Sequence, residues 1–335
     1  QSHQTDFGLD FGFFGNSLQL TADYFYKRTE GMLQVMPVPT YLGESKPWGN
    51  VGEMSNSGIE LDMNYRYSIG DFNFSIGANA TYIKTILINA GNETGILDGG
   101  SFHQMGTITR GQNGMVYPYF YGYKTDGVFQ NWDEVNSYVG ADGSLIQPSA
   151  QPGDFRYKDL DGDGKITAEG DRTNLGKCVP AWTYGVNASI DWKGIDFSMV
   201  WQGVAGNKIF DGTRRTDIPT MNQPKYVLNR WTGEGSTNAY PRFTTTDPNQ
   251  NWSKASDFFI KDASYFRLKN ITLGYTLPYN WTKKVFVKKL RVYVAAENLL
   301  TLTKYDGFDP EIAGNMDRGS YPQARTLQFG ASITF

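Results

Sequence analysis

The sequence predicts an all-β fold, a transmembrane antiparallel β-barrel with long loops at one end, and three observations carry that expectation. Apolar and small polar residues alternate with period two in nine separate runs. Tight turns and long connections join the runs in strict alternation, the asymmetry of barrels whose turns and loops face opposite sides of a membrane. No apolar run reaches the ~18 residues of a membrane-crossing helix, yet 15% of the residues are aromatic and mean hydropathy is only -0.46. A barrel strand needs apolar residues at alternate positions alone, so this composition is compatible with one.

Taken in order, Phe7, Leu9, Phe11 and Phe13 alternate with Gly8, Asp10 and Gly12, and Gly15-Asn16 turns the chain into Leu18, Leu20, Ala22, Tyr24 and Tyr26. A long connection to about Ser57 follows. Ile59, Leu61, Met63, Tyr65 and Tyr67 then oppose Glu60, Asp62, Asn64 and Arg66, charges that belong on a water-filled inner face. Gly70-Asp71 leads into Phe72, Phe74, Ile76, Ala78, Ala80 and Tyr82. After a very long connection come Trp182, Tyr184, Val186, Ala188, Ile190 and Trp192, and Lys193-Gly194 turns them into Ile195, Phe197, Met199 and Trp201. The last three runs carry Ile271, Leu273, Tyr275 and Leu277, then Leu290, Val292, Val294 and Ala296, then Leu327, Phe329, Ala331, Ile333 and Phe335. Residues 84–180 and 203–262 are the two large loop regions. Within the first, residues 116–129 look strand-like, but a single membrane crossing there breaks the parity, so they are expected in a loop hairpin or subdomain.

A charge of -3, from 31 Lys and Arg against 34 Asp and Glu, argues against a nucleic-acid partner. One cysteine, Cys178, permits no internal disulfide. The two histidines, His3 and His103, lie far apart, and Gly164-Lys165 has Ile166 where a phosphate-binding loop needs Ser or Thr. No catalytic residues are expected and the chain is not expected to be an enzyme. Nine strands are too few for a wide pore and odd for a bacterial single-chain barrel, and a curved sheet of nine leaves two lipid-exposed edges with unpaired backbone groups. The expectation is therefore a portion of a larger barrel, in a chain that looks processed or incomplete.

Residues 50–54, NVGEM, followed by residues 56–61, NSGIEL, open a series that resembles SusC/RagA-type TonB-dependent outer-membrane transporters. The series continues through YGY at 121–123 with DGVF at 126–129, GDFRYKD at 153–159, WQGVAGN at 201–207, RWT at 230–232, SYFRLKNITLGY at 264–275, ENLLT at 297–301 and GFDPE at 307–311. Across residues 1–335 the resemblance implies the C-terminal part of a barrel of about 22 strands around a plug. It implies an outer-membrane location in a Gram-negative bacterium and import of a large glycan or peptide. The implied partners are a SusD-like surface lipoprotein, outer-membrane lipid, and TonB acting through an N-terminal region outside this sequence. Phe335 resembles the C-terminal signal read by outer-membrane assembly machinery. A structural or accessory barrel subunit without import activity is the alternative, and a chain beginning near Gln1 would favour it.

One stretch has the chemistry of a cation site. In residues 159–171, Asp159, Asp161 and Asp163 stand at positions 1, 3 and 5 of a calcium loop, with Gly164 at the turn, the Lys165 carbonyl at 7 and Thr167 at 9. Gly170 occupies position 12, and Asp171 supplies the last ligand if one residue is inserted. The expectation is structural Ca2+; an Asp- and Gly-rich turn that binds weakly is the alternative. Trp132, Trp231, Tyr240 and Trp252 are candidate ligand or lid contacts, with loop packing as the competing role. Glu60, Asp62, Arg66, Arg291 and Glu297 are expected on the inner wall. Trp182, Trp192, Tyr65, Tyr67 and Phe335 are expected in an interfacial aromatic girdle.

Overall fold

The computed structural model describes residues 1–35, 47–214 and 221–335; residues 36–46 and 215–220, within two of the expected connections, lie outside the described residues. All nine runs form strands of one sheet. They are β1 (Ser2–Phe13), β2 (Leu18–Val35), β3 (Trp48–Ile69), β4 (Phe72–Asn89), β5 (Trp182–Trp192), β6 (Ile195–Ala205), β7 (Tyr265–Thr276), β8 (Lys289–Thr303) and β9 (Thr326–Thr334). Each pairs antiparallel with its neighbours in chain order, so the sheet is a meander with β1 and β9 as its edges. Among the described residues it does not close, as a partial barrel requires.

The register turns nine separate alternations into two continuous faces. Tyr67, Phe74, Ile190, Phe197, Leu273, Val294 and Phe329 stand side by side from β3 to β9. One residue along, Arg66, Ser75, Ser189, Ser198, Thr272, Ala295 and Gln328 form the matching row on the other face. There the Ser75 and Ser189 hydroxyls hydrogen-bond at 2.8 Å. A one-residue slip in any strand would put its charged or polar side chains among the apolar rows, so burial of one face in lipid specifies the register. The irregularity at Lys269 resets the alternation, which lets Phe266 stack on Trp201 at 4.8 Å while Ile271 still pairs with Met199.

The sheet is longer than the alternation shows. At about 3.3 Å per residue, β3 with its 22 residues reaches well past an apolar band ~25 Å tall. Most of the connection expected between Tyr26 and Ser57 is therefore strand. Lys27 pairs with Asn56 and Arg28 with Ser55, and Arg28 also forms a 2.5 Å ion pair with Glu53. Backbone ladders in water need no apolar face, so this extension leaves no period-two signature.

At one end the connections are tight, at 14–17, 70–71 and 193–194, apart from residues 277–288. At the other end residues 90–181, 206–214, 221–264 and 304–325 fold together as a layer. Its sheets are Arg172–Lys177 / Tyr119–Tyr123 / Thr109–Gln112 / Ile96–Asp98, Ile260–Asp262 / Lys208–Asp211 / Met316–Asp317, and Thr125–Val128 / Phe155–Tyr157. Residues 116–129 thus belong to a loop subdomain, as expected, but they are not a hairpin. Tyr119–Tyr123 pairs with Arg172–Lys177 and Thr109–Gln112, and Thr125–Val128 pairs with Phe155–Tyr157 in a different sheet.

The two large loop regions share one core. Phe102, Phe120 and Cys178 from the first pack with Phe210, Trp252 and Phe259 from the second. This layer holds most of the buried apolar side chains, whereas Phe329 on the sheet is 84% exposed. Burial pushes the Cys178 thiol up to about 12. Cys178 is accordingly expected to resist maleimide at pH 8 in the native protein and to react within minutes once denatured; rapid native labelling would show the core to be open.

Candidate functional site

The acidic loop follows directly on strand Phe155–Tyr157. Asp159 turns the chain over itself: its Oδ1 accepts from the Gly162 N–H at 2.7 Å and its Oδ2 from the Gly164 N–H at 2.9 Å. Gly162 and Gly164 have φ of 77° and 81°, the left-handed region that favours glycine. Asp171, fully buried, closes the loop from the far side, accepting from the Leu160 and Thr167 N–H groups at 2.6 Å each. Asp161 completes a cluster in which one oxygen from each of Asp159, Asp161 and Asp171 lies within 4.8 Å of the others. Asp163 is not part of it; its Oδ1 accepts from the Lys165 N–H at 2.8 Å and the side chain stays exposed. Thr167 Oγ1 accepts from the Gly170 N–H, and Lys165 is exposed.

An all-oxygen donor set with three carboxylates fits a hard divalent cation such as Ca2+. Carboxylates held this close repel unless a cation or proton intervenes. Asp171 stands one residue past position 12, where the chain turns at 168–170 and the Asp171 N–H bonds to the Thr167 carbonyl at 3.3 Å.

The four candidate aromatic contacts separate. Trp132 is 55% exposed at the start of the short helix Trp132–Ser137, whose first turn is capped by Asn131 Oδ1 accepting from the Glu134 N–H. Trp231 packs on the cluster of Tyr123, Val128, Phe155 and Tyr157, with its Nε1 directed at Gln130 Oε1. Trp252 is 3% exposed, donates its indole N–H to the Arg242 carbonyl at 3.2 Å and belongs to the main core. Trp252 is thus a packing residue and not a ligand contact, because the loop regions bury it between them; Trp231 is half-buried in the same way.

Tyr240 lines an open cleft of about 600 Å³ with Asp211, Tyr226, Tyr305, Asp306 and Phe308. Sequence reasoning missed the other five, which come from two connections roughly a hundred positions apart; only the GFDPE segment containing Phe308 offered a signal.

On the polar face Arg291 pairs with Asp196 across Gly274, whose missing side chain leaves room for the two to meet. Arg267, also on the polar face, had no role in the sequence reading. It is 3% exposed and binds Asp309 at 2.5 Å and Glu311 at 2.7 Å, while Lys269 holds Glu311 at 2.6 Å. These pairs fasten residues 304–325 to the sheet. Trp182 and Trp192, at opposite ends of β5, are 40% and 48% exposed, as girdle residues on a lipid face would be. Phe335 is 76% exposed beyond the end of β9.

A one-sheet meander with lipid-type and water-type faces, capped by a folded loop layer, defines part of a membrane β-barrel. Residues 1–299 match the family described as TonB dependent receptor-like, beta-barrel, and the chain belongs to that family of outer-membrane proteins. It is 31% identical over 352 residues to TonB-dependent receptor P3 of Formosa agariphila, covering all of this chain and 34% of the relative. It is 26% identical to TonB-dependent receptor SusC of Bacteroides thetaiotaomicron, covering 98% of this chain and 31% of that protein. The structure of the RagAB peptide importer in the "open-open" state superposes with a TM-score of 0.79 at 25% identity, over all of this chain and 34% of that one. The chain therefore spans about a third of the length of the relatives it matches.

Proposed function

We propose that this barrel segment serves TonB-dependent import of a large nutrient, a glycan or peptide, across the outer membrane. A SusD-like surface lipoprotein lies over its loop layer, and TonB supplies energy from the inner membrane. The carrying observation is membership of the receptor family together with an aromatic and acidic cleft that opens within the loop layer. Tyr226, Tyr240 and Phe308 offer ring faces to a sugar or an apolar side chain, and Asp211 and Asp306 offer acceptors.

The test uses the full-length protein in cells, supplied with a fluorescent oligosaccharide mixture or a fluorescent peptide mixture. Uptake of one mixture that disappears on deleting TonB is the expected result. A correctly inserted barrel with no TonB-dependent uptake of either would instead favour an accessory role.

The reading includes a structural Ca2+ held by Asp159, Asp161 and Asp171, with the Lys165 carbonyl and Thr167 as the further oxygen donors it would use. A cation present at a hundred times its Kd stabilises the bound form by ~2.7 kcal/mol. Chelation is expected to raise protease cleavage between Asp154 and Gly176 by roughly a hundredfold where local opening limits it, with the barrel still resisting denaturation in detergent. Unchanged cleavage would leave only an Asp- and Gly-rich turn.

A further inference from the structure

The connection between β7 and β8 stands apart from the three tight turns at its end of the sheet. Residues 277–288 carry the short helix Tyr279–Thr282 and the 3-10 turn Lys283–Val285. Thr282 alone is buried in this helix and turn. Tyr279 is 61% exposed, Trp281 63%, Val285 67% and Phe286 90%. Lys283, Lys284 and Lys288 are exposed beside them, and residues 277–289, LPYNWTKKVFVKK, contain no acid.

The segment continues the lipid-type face. The Leu277 N–H donates to the Leu290 carbonyl and the Lys288 N–H to the Thr334 carbonyl, and Leu290 pairs with Ile333. The last full apolar row before it, Trp192, Ile195, Tyr275, Val292 and Ala331, sits at the same edge. Bare aromatic rings beside lysines, with no carboxylate pairing them among the described residues, match a membrane interface, where rings lie at headgroup level and lysines reach phosphate. An aqueous surface leaves the rings unmatched.

We propose that residues 279–288 are a docking site for anionic phospholipid headgroups of the inner leaflet, on the side away from the loop layer. Trp281, Val285 and Phe286 enter the glycerol region, and Lys283, Lys284 and Lys288 bind the phosphates. The site depends on the outer-membrane placement and is independent of what the barrel imports.

The test is native mass spectrometry of the full-length protein titrated with phosphatidylglycerol or phosphatidylethanolamine. The expected result is one class of retained phosphatidylglycerol that the triple variant Lys283→Gln, Lys284→Gln, Lys288→Gln loses, with affinity falling roughly a hundredfold at about fivefold per lysine. Phosphatidylethanolamine binding should hardly change. The double variant Trp281→Ala, Phe286→Ala should weaken both lipids, which separates ring insertion from charge. Equal phosphatidylglycerol retention by the wild type and the folded triple variant would overturn the proposal. So would a photoreactive phenylalanine analogue at position 286 that crosslinks in cells to a discrete protein in place of lipid.

Discussion

Arg267→Met is expected to free residues 304–325 from the sheet while leaving the nine-strand meander intact. Arg267 is buried on β7 and satisfies Asp309, Glu311 and the Thr301 hydroxyl at once. Methionine fills much of the same volume but strands the Asp309 carboxylate, itself 5% exposed, without its cation. Removing one partner of a buried pair costs ~3–5 kcal/mol, far more than the pair's net contribution. Amide exchange across 304–325 should accelerate, and protease should cut there at neutral pH; an unchanged exchange pattern would show that the loop is held by other contacts.

Acid should imitate the substitution. Burial pushes the Asp309 carboxyl up, but hydrogen bonds from Arg267 and from the Gln323 and Glu311 N–H groups outweigh it, and the group is held below its ordinary value. A carboxyl lowered on folding contributes stability above its unfolded pKa of ~3.9 and loses it as pH falls through the folded value. The fastening is thus complete at neutral pH and weakens below about pH 4.

Asp154→Ala is expected to loosen the loop layer as a whole. Fully buried Asp154 accepts from Arg242 Nε at 2.5 Å and Nη2 at 3.1 Å, from Asn251 Nδ2 at 2.8 Å and from the Gln151 N–H at 2.9 Å. Asn251 in turn accepts from the Phe155 N–H, and Asn249 and Gln147 donate to the Phe155 carbonyl. The network joins the β4–β5 connection to the β6–β7 connection. Alanine leaves Arg242 and Asn251 without their acceptor, a loss of ~3–5 kcal/mol. Exchange at Phe155 and Tyr157 should rise by two orders of magnitude or more, with β1 to β9 unaffected. Asp154→Asn, which keeps an acceptor but drops the charge, should fall between; equal behaviour of the two variants would mean that packing and not the ion pair holds the layer.

The strands and their faces were legible because alternation is a property of adjacent residues. Ile59, Leu61 and Met63 against Glu60 and Asp62 already separate lipid from water, and the pairing with β4 only confirms it. The acidic loop was legible for the same reason, since Asp159 and Asp161 are two positions apart. Asp163 follows the same spacing, yet its Oδ1 takes the Lys165 N–H and the side chain stays outside the cluster. The site aromatics were not legible. Trp132 and Trp252 look alike in sequence, and only the packing of two loop regions against each other buries one and leaves the other in water.

By itself, the sequence determined the strand order, the two faces of the sheet and the local turn chemistry of the acidic loop, all of which follow from backbone stereochemistry over a few residues. Only the tertiary structure decided that the loops form one layer, that Arg267 holds Asp309, and that residues 279–288 stand bare beside the apolar rows. Those outcomes depend on contacts between residues far apart in the chain, such as the 42 positions between Arg267 and Asp309. The energy of such a contact comes from burial and pairing that no local pattern encodes.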